Sequence, residues 1–366
     1  MIIIKSTYNE AKIFTDTLDS GSEGLIKAFC ASPVSEGSKI RMMPDVHAGK
    51  GCVIGTTITV TDKIAPGLIG VDIGCGITAI KLSCKRMELQ KLDKVIHEKI
   101  PAGKEIRSSA HRFSADIDLD ALRCGKYIRK DKAYASIGTL GGGNHFIEID
   151  RGEDGTYWLV IHSGSRYLGV QTAEFYHEEA FRASKDVPYE LAYAMGDLMA
   201  DYLHDLAIVQ EFARLNRLAI ADDICKNMKF SADETFECVH NYCDISSMIL
   251  RKGAISAQKD EFVIIPMNMR DGCLIGRGKG NPDWNDSAPH GAGRLMSRQE
   301  TRNSFTLSQY KKEMKGIYSS SVSRETLDES PMAYKPMESI LTQIGDTVEI
   351  TERIRPIYNF KAGDEI

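Results

Sequence analysis

Short apolar runs rich in β-branched residues, cut off by glycine or charge, recur along this chain at Val53 to Val60, Ile77 to Leu82, Tyr157 to Ile161 and Phe262 to Ile265. Each is too short for an independent helix and predicts a strand. Between Pro188 and Met228 the period changes. Leu198, Met199, Tyr202, Leu206, Val209, Phe212 and Leu215 recur at spacings of three and four with charges between them, which predicts one or two packed helices with a core-facing stripe. The chain then returns near Phe236 to a chemically dense segment. No repeat, low-complexity linker or proline-rich boundary divides it. The pattern therefore predicts an α+β fold, one compact domain over residues 1–366, with a mainly β core, flanking helices and a helical excursion around 188–228.

Composition narrows this further. With 366 residues and 42% hydrophobic content, the chain can bury a large core. No stretch approaches the roughly 18 to 20 apolar residues of a membrane span, and the opening Met1 to Lys5 is too short for a signal peptide, so we expect a cytoplasmic protein without a membrane partner. Nine cysteines, an odd number without a repeating framework, suit reduced thiols. The net charge of -5 argues against bulk coating of nucleic acid. Residues 266–320, with nine Lys or Arg against five acids, leave room for a local basic surface or a merely solvated face.

The candidate chemistry concentrates in glycine-rich segments. Five of the nine histidines lie there: His47 in MPDVHAGKG, His145 in GTLGGGNHFIE, His162 in VIHSGSR, His240 in CVHNY and His290 in PHGAGRLMSR. Glycine beside a histidine lets backbone approach a ligand closely. His97, His111, His177 and His204 sit in helical or charged contexts and read as surface or core residues. In GVDIGCG, Asp72 and Cys75 can converge on one point. A carboxylate, a thiol and several imidazoles suit a borderline metal such as Mn, Zn, Co or Fe better than Mg or Ca.

These motifs carry a family resemblance. GVDIGCG, GGGNHF, HSGSR, HNY, RKGA, RGKGNP, HGAGR and PMAYK occur in the order seen in the RtcB RNA ligases, which the chain resembles over nearly its whole length. The resemblance implies two Mn ions, with Cys75, His162 and His240 on one, Asp72, Cys75 and His145 on the other, and Cys75 bridging. It implies that His290 is guanylylated by GTP. Guanine-nucleotide contacts are implied for Asn144, Glu148, Asn241, Asn268, Gly291, Ala292, Gly293, Tyr334 and Lys361, with Tyr334 stacking on the base and Lys361 reading its edge. Asp45 and His47 would lie near the metals as orienting or supporting groups. By charge alone, Arg277, Lys279 and Arg294 are candidate phosphate contacts. The implied reaction joins an RNA 3'-phosphate or 2',3'-cyclic phosphate to a 5'-hydroxyl in RNA repair or splicing. Its substrates would be broken RNA, tRNA or ribosomal RNA among them, and a helper protein is a further expected partner.

The chain also departs from the family pattern. Ile265-Pro266-Met267-Asn268-Met269-Arg270 stands where I-P-G-S-M-G is common, so Met267 should stiffen and fill the loop while Asn268 takes a serine's place. Ala48 and Tyr167 differ from commoner residues too, and the tail Lys361 to Ile366 extends past the usual Lys-Gly end, which should loosen the Lys361 contact. Two rival classes deserve comparison. A two-metal phosphoesterase acting on RNA ends would use Asp45-Val46-His47 as its D-x-H and Gly143-Asn144-His145 as part of G-N-H-[DE], but Phe146 replaces the acid and no late G-H-x-H occurs. A non-catalytic RNA-binding relative would explain the altered Met267-Asn268 loop. A lysine-nucleophile ligase lacks its K-x-D-G, and Lys279 is followed by Gly280, so there is no Walker A element.

Overall fold

A computed structural model describes residues 1–84 and 86–363 and has the α+β architecture expected, built on two large sheets. The first has six strands in the order Ile2–Lys5, Glu10–Ile13, Ile40–His47, Ile54–Thr59, Ile249–Lys252 and Asn241–Asp244. The second has seven, in the order Phe262–Asn268, Gly272–Gly278, Val348–Phe360, Phe146–Arg151, Tyr157–Ser163, Gly76–Ser83 and Ser231–Val239. Every pairing in the second sheet is antiparallel. A short ribbon of Ala254–Ser256 against Ser287–Pro289 lies beside them.

The predicted strands are present, each within a few residues of its expected ends. The helical excursion differs in form. It is one helix, Gly196–Met228, preceded by a single turn at Tyr189–Leu191. Helix Arg166–Ala183, directly after HSGSR, has no counterpart among the sequence expectations. Its buried residues include Leu168, Gly169, Thr172, Ala173, Tyr176 and Ala180, a face too rich in small and polar positions to register as an apolar stripe.

The long helix buries Tyr202, Leu206, Val209 and Phe212 in the core shared with the first sheet, and Ile220 and Ile224 in the core beneath the second. Between those stretches it carries two buried polar side chains that tie three loops together. Asn216 Oδ1 accepts from the backbone N–H groups of Gly138 and Thr139, and its Nδ2 donates to Ser163 Oγ and Gly164 O. Arg217 donates to Gly74 O, Ser163 O and Thr78 Oγ1, with Glu237 as counter-ion. Burying a guanidinium is tolerable because its donors find such partners. No helix among the described residues is long and apolar enough to cross a membrane.

Candidate metal and nucleotide site

Four adjacent strands of the second sheet end together. Cys75 immediately precedes Gly76–Ser83, His145 precedes Phe146–Arg151, His162 lies near the end of Tyr157–Ser163 and His240 follows Ser231–Val239. The register sets Ile77 and Phe146 both opposite His162, and Gly76 opposite Ser163 and Val239. Antiparallel pairing thus brings four donors to one edge, although they are far apart in sequence.

Cys75 Sγ lies 3.3 Å from His145 Nε2 and 3.2 Å from His162 Nε2. His162 Nε2 is 3.3 Å from His240 Nε2, and His145 Nε2 is 3.2 Å from Asp72 Oδ2. The five residues expected to hold metal therefore form two triads that share Cys75. Such separations suit a common ion, since bonds of about 2.0–2.3 Å in a tetrahedral shell set donors roughly 3.3–3.8 Å apart. His145 Nδ1 donates to Leu140 O and His162 Nδ1 to Asn144 O, which leaves both Nε2 lone pairs facing the cluster. A Cβ on Gly164 would stand 2.0 Å from Asp72 Oδ1, so any side chain there would push this carboxylate out of its place.

The electrostatics favour a cation among these groups. Burial, and then the adjacent Asp72 carboxylate, pushes the Cys75 thiol well above its ordinary range. Burial and neighbouring imidazoles hold His162 and His240 well below theirs, so both are neutral lone-pair donors at pH 7. A thiol that resists ionisation beside neutral imidazoles becomes a good ligand set once a divalent ion offsets the charge.

His290 follows the ribbon strand Ser287–Pro289, and its ring centroid is 4.9 Å from that of His240. Its Nδ1 donates to Asp45 Oδ2 at 2.7 Å, a contact that does not engage Nε2. Asp45 is fully buried in strand Ile40–His47, whose end Lys335 clasps through Pro44 O and Val46 O. Gly293 has φ +74 and a Cβ there would come within 2.4 Å of Asp45 O, so HGAGR can close on Asp45 only through glycine. Asp45 and His47 belong to neither donor triad: the carboxylate serves His290, and His47 Nδ1 meets Asp45 O. That is a poor arrangement for the D-x-H element of a phosphoesterase.

A cavity of about 320 Å³ opens beside His162, His240 and His290. Asn144, Glu148, Asn268, Gly291, Ala292, Gly293, Tyr334 and Lys361 line it, as does Met267. Asn241 does not; its Oδ1 accepts from Gly253 N in the loop behind. Asn268 reaches the wall, but its Oδ1 caps Arg270 N and Asp271 N and its Nδ2 donates to Asp271, so its amide is committed to the turn. Arg277 and Lys279 lie outside the cavity lining and bond to Asp260 O and Gly345 O. Arg294 is in the lining, with its donors on Met296 O, Glu329, Tyr334, Thr301 and Asp328 O. Lys361 is 7% exposed and donates to Glu329 and Asn144 O; of the tail, Asp364 to Ile366 lie outside the described residues. A second cavity of about 490 Å³, lined by Lys104, Lys132, Arg166 and Tyr167 among others, reaches Asp72 and His145 from another side.

Sequence reasoning missed Glu329, Arg166 and Asp150, whose partners or cavities appear only in three dimensions. His111 lies near Asp222 and Asp223, but Arg107 and Arg112 already neutralise those carboxylates.

A thiol shared by two candidate metal-holding triads, opening onto a cavity that carries its own histidine, is the arrangement of a candidate metal site beside a pocket. Family comparison makes the assignment specific: the model described as tRNA-splicing ligase RtcB matches residues 32–127 and 116–362, and the chain belongs to the RtcB family. It is 31% identical to the RNA-splicing ligase RtcB of Escherichia coli strain K12, covering 87% of this chain and 88% of that one. The tRNA-splicing ligase RtcB of Aeropyrum pernix is 27% identical, with 86% of each chain covered.

Proposed function

We propose that this protein is a GTP- and Mn-dependent RNA ligase that joins a 3'-phosphate or 2',3'-cyclic phosphate to a 5'-hydroxyl through a guanylylated His290. The observation that carries the reading is His290 itself, with Nδ1 on the buried Asp45 and Nε2 free at a cavity bordered by the metal donors. Family membership and the names of the relatives support RNA as substrate.

Asp45 keeps the ring proton on Nδ1, so the Nε2 lone pair can attack the α-phosphorus of GTP. The new bond is P–N, the α–β P–O bond breaks and pyrophosphate leaves. A 2',3'-cyclic phosphate is first opened by water to the 2'-hydroxyl and 3'-phosphate; an oxygen of the 3'-phosphate then takes the guanylyl group as the P–N bond breaks, freeing Nε2. Attack by a 5'-hydroxyl on that phosphorus then expels GMP and forms the phosphodiester. Two ions held by Asp72, Cys75, His145, His162 and His240 would supply Lewis acidity to the phosphoryl oxygens. Gly291, Ala292 and Gly293 bring backbone to the nucleotide, while Lys361 offers a donor and Glu148 an acceptor to the edge of a guanine. The cavity at Asp72 and His145, with Lys104, Lys132 and Arg166, suits the approach of an RNA end.

The test is labelling with GTP carrying radioactive α-phosphate, in the presence of Mn. Wild type should acquire an acid-labile, alkali-stable label, as a phosphorus–nitrogen bond requires. His290→Ala should keep its metals and remain unlabelled. Label on a lysine peptide, or undiminished label on the variant, would overturn the assignment.

A further inference from the structure

We propose that Glu329 is a positioning residue that sets which base the cavity accepts, acting through Lys361 and Tyr334; this rests on the nucleotide-binding reading above. Glu329 ends the turn Leu327–Glu329, and its side chain is 2% exposed. Its Oε2 accepts from Tyr334 OH at 2.6 Å and from Lys361 Nζ at 2.9 Å. Its Oε1 lies 3.2 Å from both Arg294 and Arg298. One oxygen thus fixes the distance between an aromatic ring and an ammonium, the two side chains expected at a base's face and edge.

Glu329 and its neighbour Asp328 join Arg294, Arg298, Arg302 and Lys361 in one ionic cluster at the wall of the cavity. Lys361 spends two N–H groups on Glu329 and Asn144 O and lies over the Phe146 ring; the third N–H has no hydrogen-bond acceptor among the described residues and is left for a ligand acceptor. Tyr334 spends its hydroxyl proton on Glu329, so it presents a ring to the cavity and not a donor. A base with a 6-oxo group satisfies this end. One with a 6-amino group meets an ammonium and leaves a donor unpaired.

The experiment compares binding of non-reactive α,β-methylene analogues of GTP and ATP to the full chain by calorimetry. For Glu329→Gln we expect the GTP analogue to weaken about tenfold or more while the ATP analogue holds or tightens, since Lys361 is then no longer held at the edge of the base. In a Lys361→Ala background, Glu329→Gln should leave the remaining preference unchanged. A purely structural Glu329 would weaken both analogues equally, and a purely electrostatic one would tighten both; either result overturns the proposal, as does an undiminished effect without Lys361. If Glu329→Gln does not fold, Tyr334→Phe frees one donor from Oε2 and keeps the ring. A severalfold loss of preference then supports the proposal and an unchanged preference overturns it. Wild type without any preference for the guanine analogue would bring down the nucleotide reading and this proposal together.

Discussion

At the scale of single side chains, the Asp45 carboxylate governs which nitrogen of His290 is free. An amide there would either donate to Nδ1, moving the ring proton to Nε2, or accept from it without charge. Asp45→Asn should therefore slow guanylylation by roughly 10²–10⁴-fold while the metal content stays the same, as label transfer and elemental analysis would show. Asp150 behaves differently. Neither of its oxygens has a hydrogen-bond partner among the described residues, Glu148 and Cys273 lie close by, and burial pushes its carboxyl up to about 7. The unfolded chain releases this proton near pH 4 and the folded chain near 7, so the folded state holds more protons in between. Its stability falls as pH rises through that window. The stability of Asp150→Asn relative to wild type should therefore climb from pH 4 to pH 7, by up to about 1.4 kcal/mol per pH unit, in denaturant titrations. The clustered histidines, Asp72 and Cys75 were legible because glycine-rich motifs announce them. Glu329 was not, since a carboxylate in LDESP reads as an ordinary turn acid until Lys361, 32 residues on, is folded against it. Asn268 lines the cavity as its place in the motif implied, and only the turn shows that its amide is already bonded to Arg270 N and Asp271 N.

At the scale of elements, the long helix Gly196–Met228 was read as core packing, and its apolar side chains fill that role. The periodic stripe could not reveal that Asn216 and Arg217 fasten the loops around Gly74, Gly138 and Ser163, because polar positions in a helix are read as solvent-facing. Arg217→Met should leave Gly74 O and Ser163 O without their buried donor and Glu237 without its cation. We expect a loss of about 3–5 kcal/mol in urea unfolding and weaker metal retention, the second because Gly74 adjoins Cys75. The strands were legible from alternation and length. Their order was not, since Val348–Phe360 inserts between Gly272–Gly278 and Phe146–Arg151 from the far end of the chain.

At the scale of the whole molecule, the two cavities meet the donor cluster from different sides, one at His162 and His240 and the other at Asp72 and His145. Under the function proposed, a nucleotide in the first and an RNA end in the second would meet at the same donor cluster. Sealing should consequently retain the RNA's own phosphate: a radiolabelled 3'-phosphate should become phosphatase-resistant on joining to a 5'-hydroxyl strand. Joining of only 3'-hydroxyl to 5'-phosphate ends would contradict the reaction proposed. The donors of that cluster are 70, 87 and 78 residues apart along the chain for the pairs Cys75–His145, Cys75–His162 and His162–His240. Contacts so distant form late, after much chain entropy has been lost. A ribosome must deliver the polypeptide beyond His145 before the Asp72, Cys75 and His145 triad can close, beyond His240 before the other can, and beyond Lys361 before its contact with Glu329 exists. A half-made chain can therefore assemble one donor triad at most, and the second triad and the cavity wall that Lys361 completes arrive only later in synthesis.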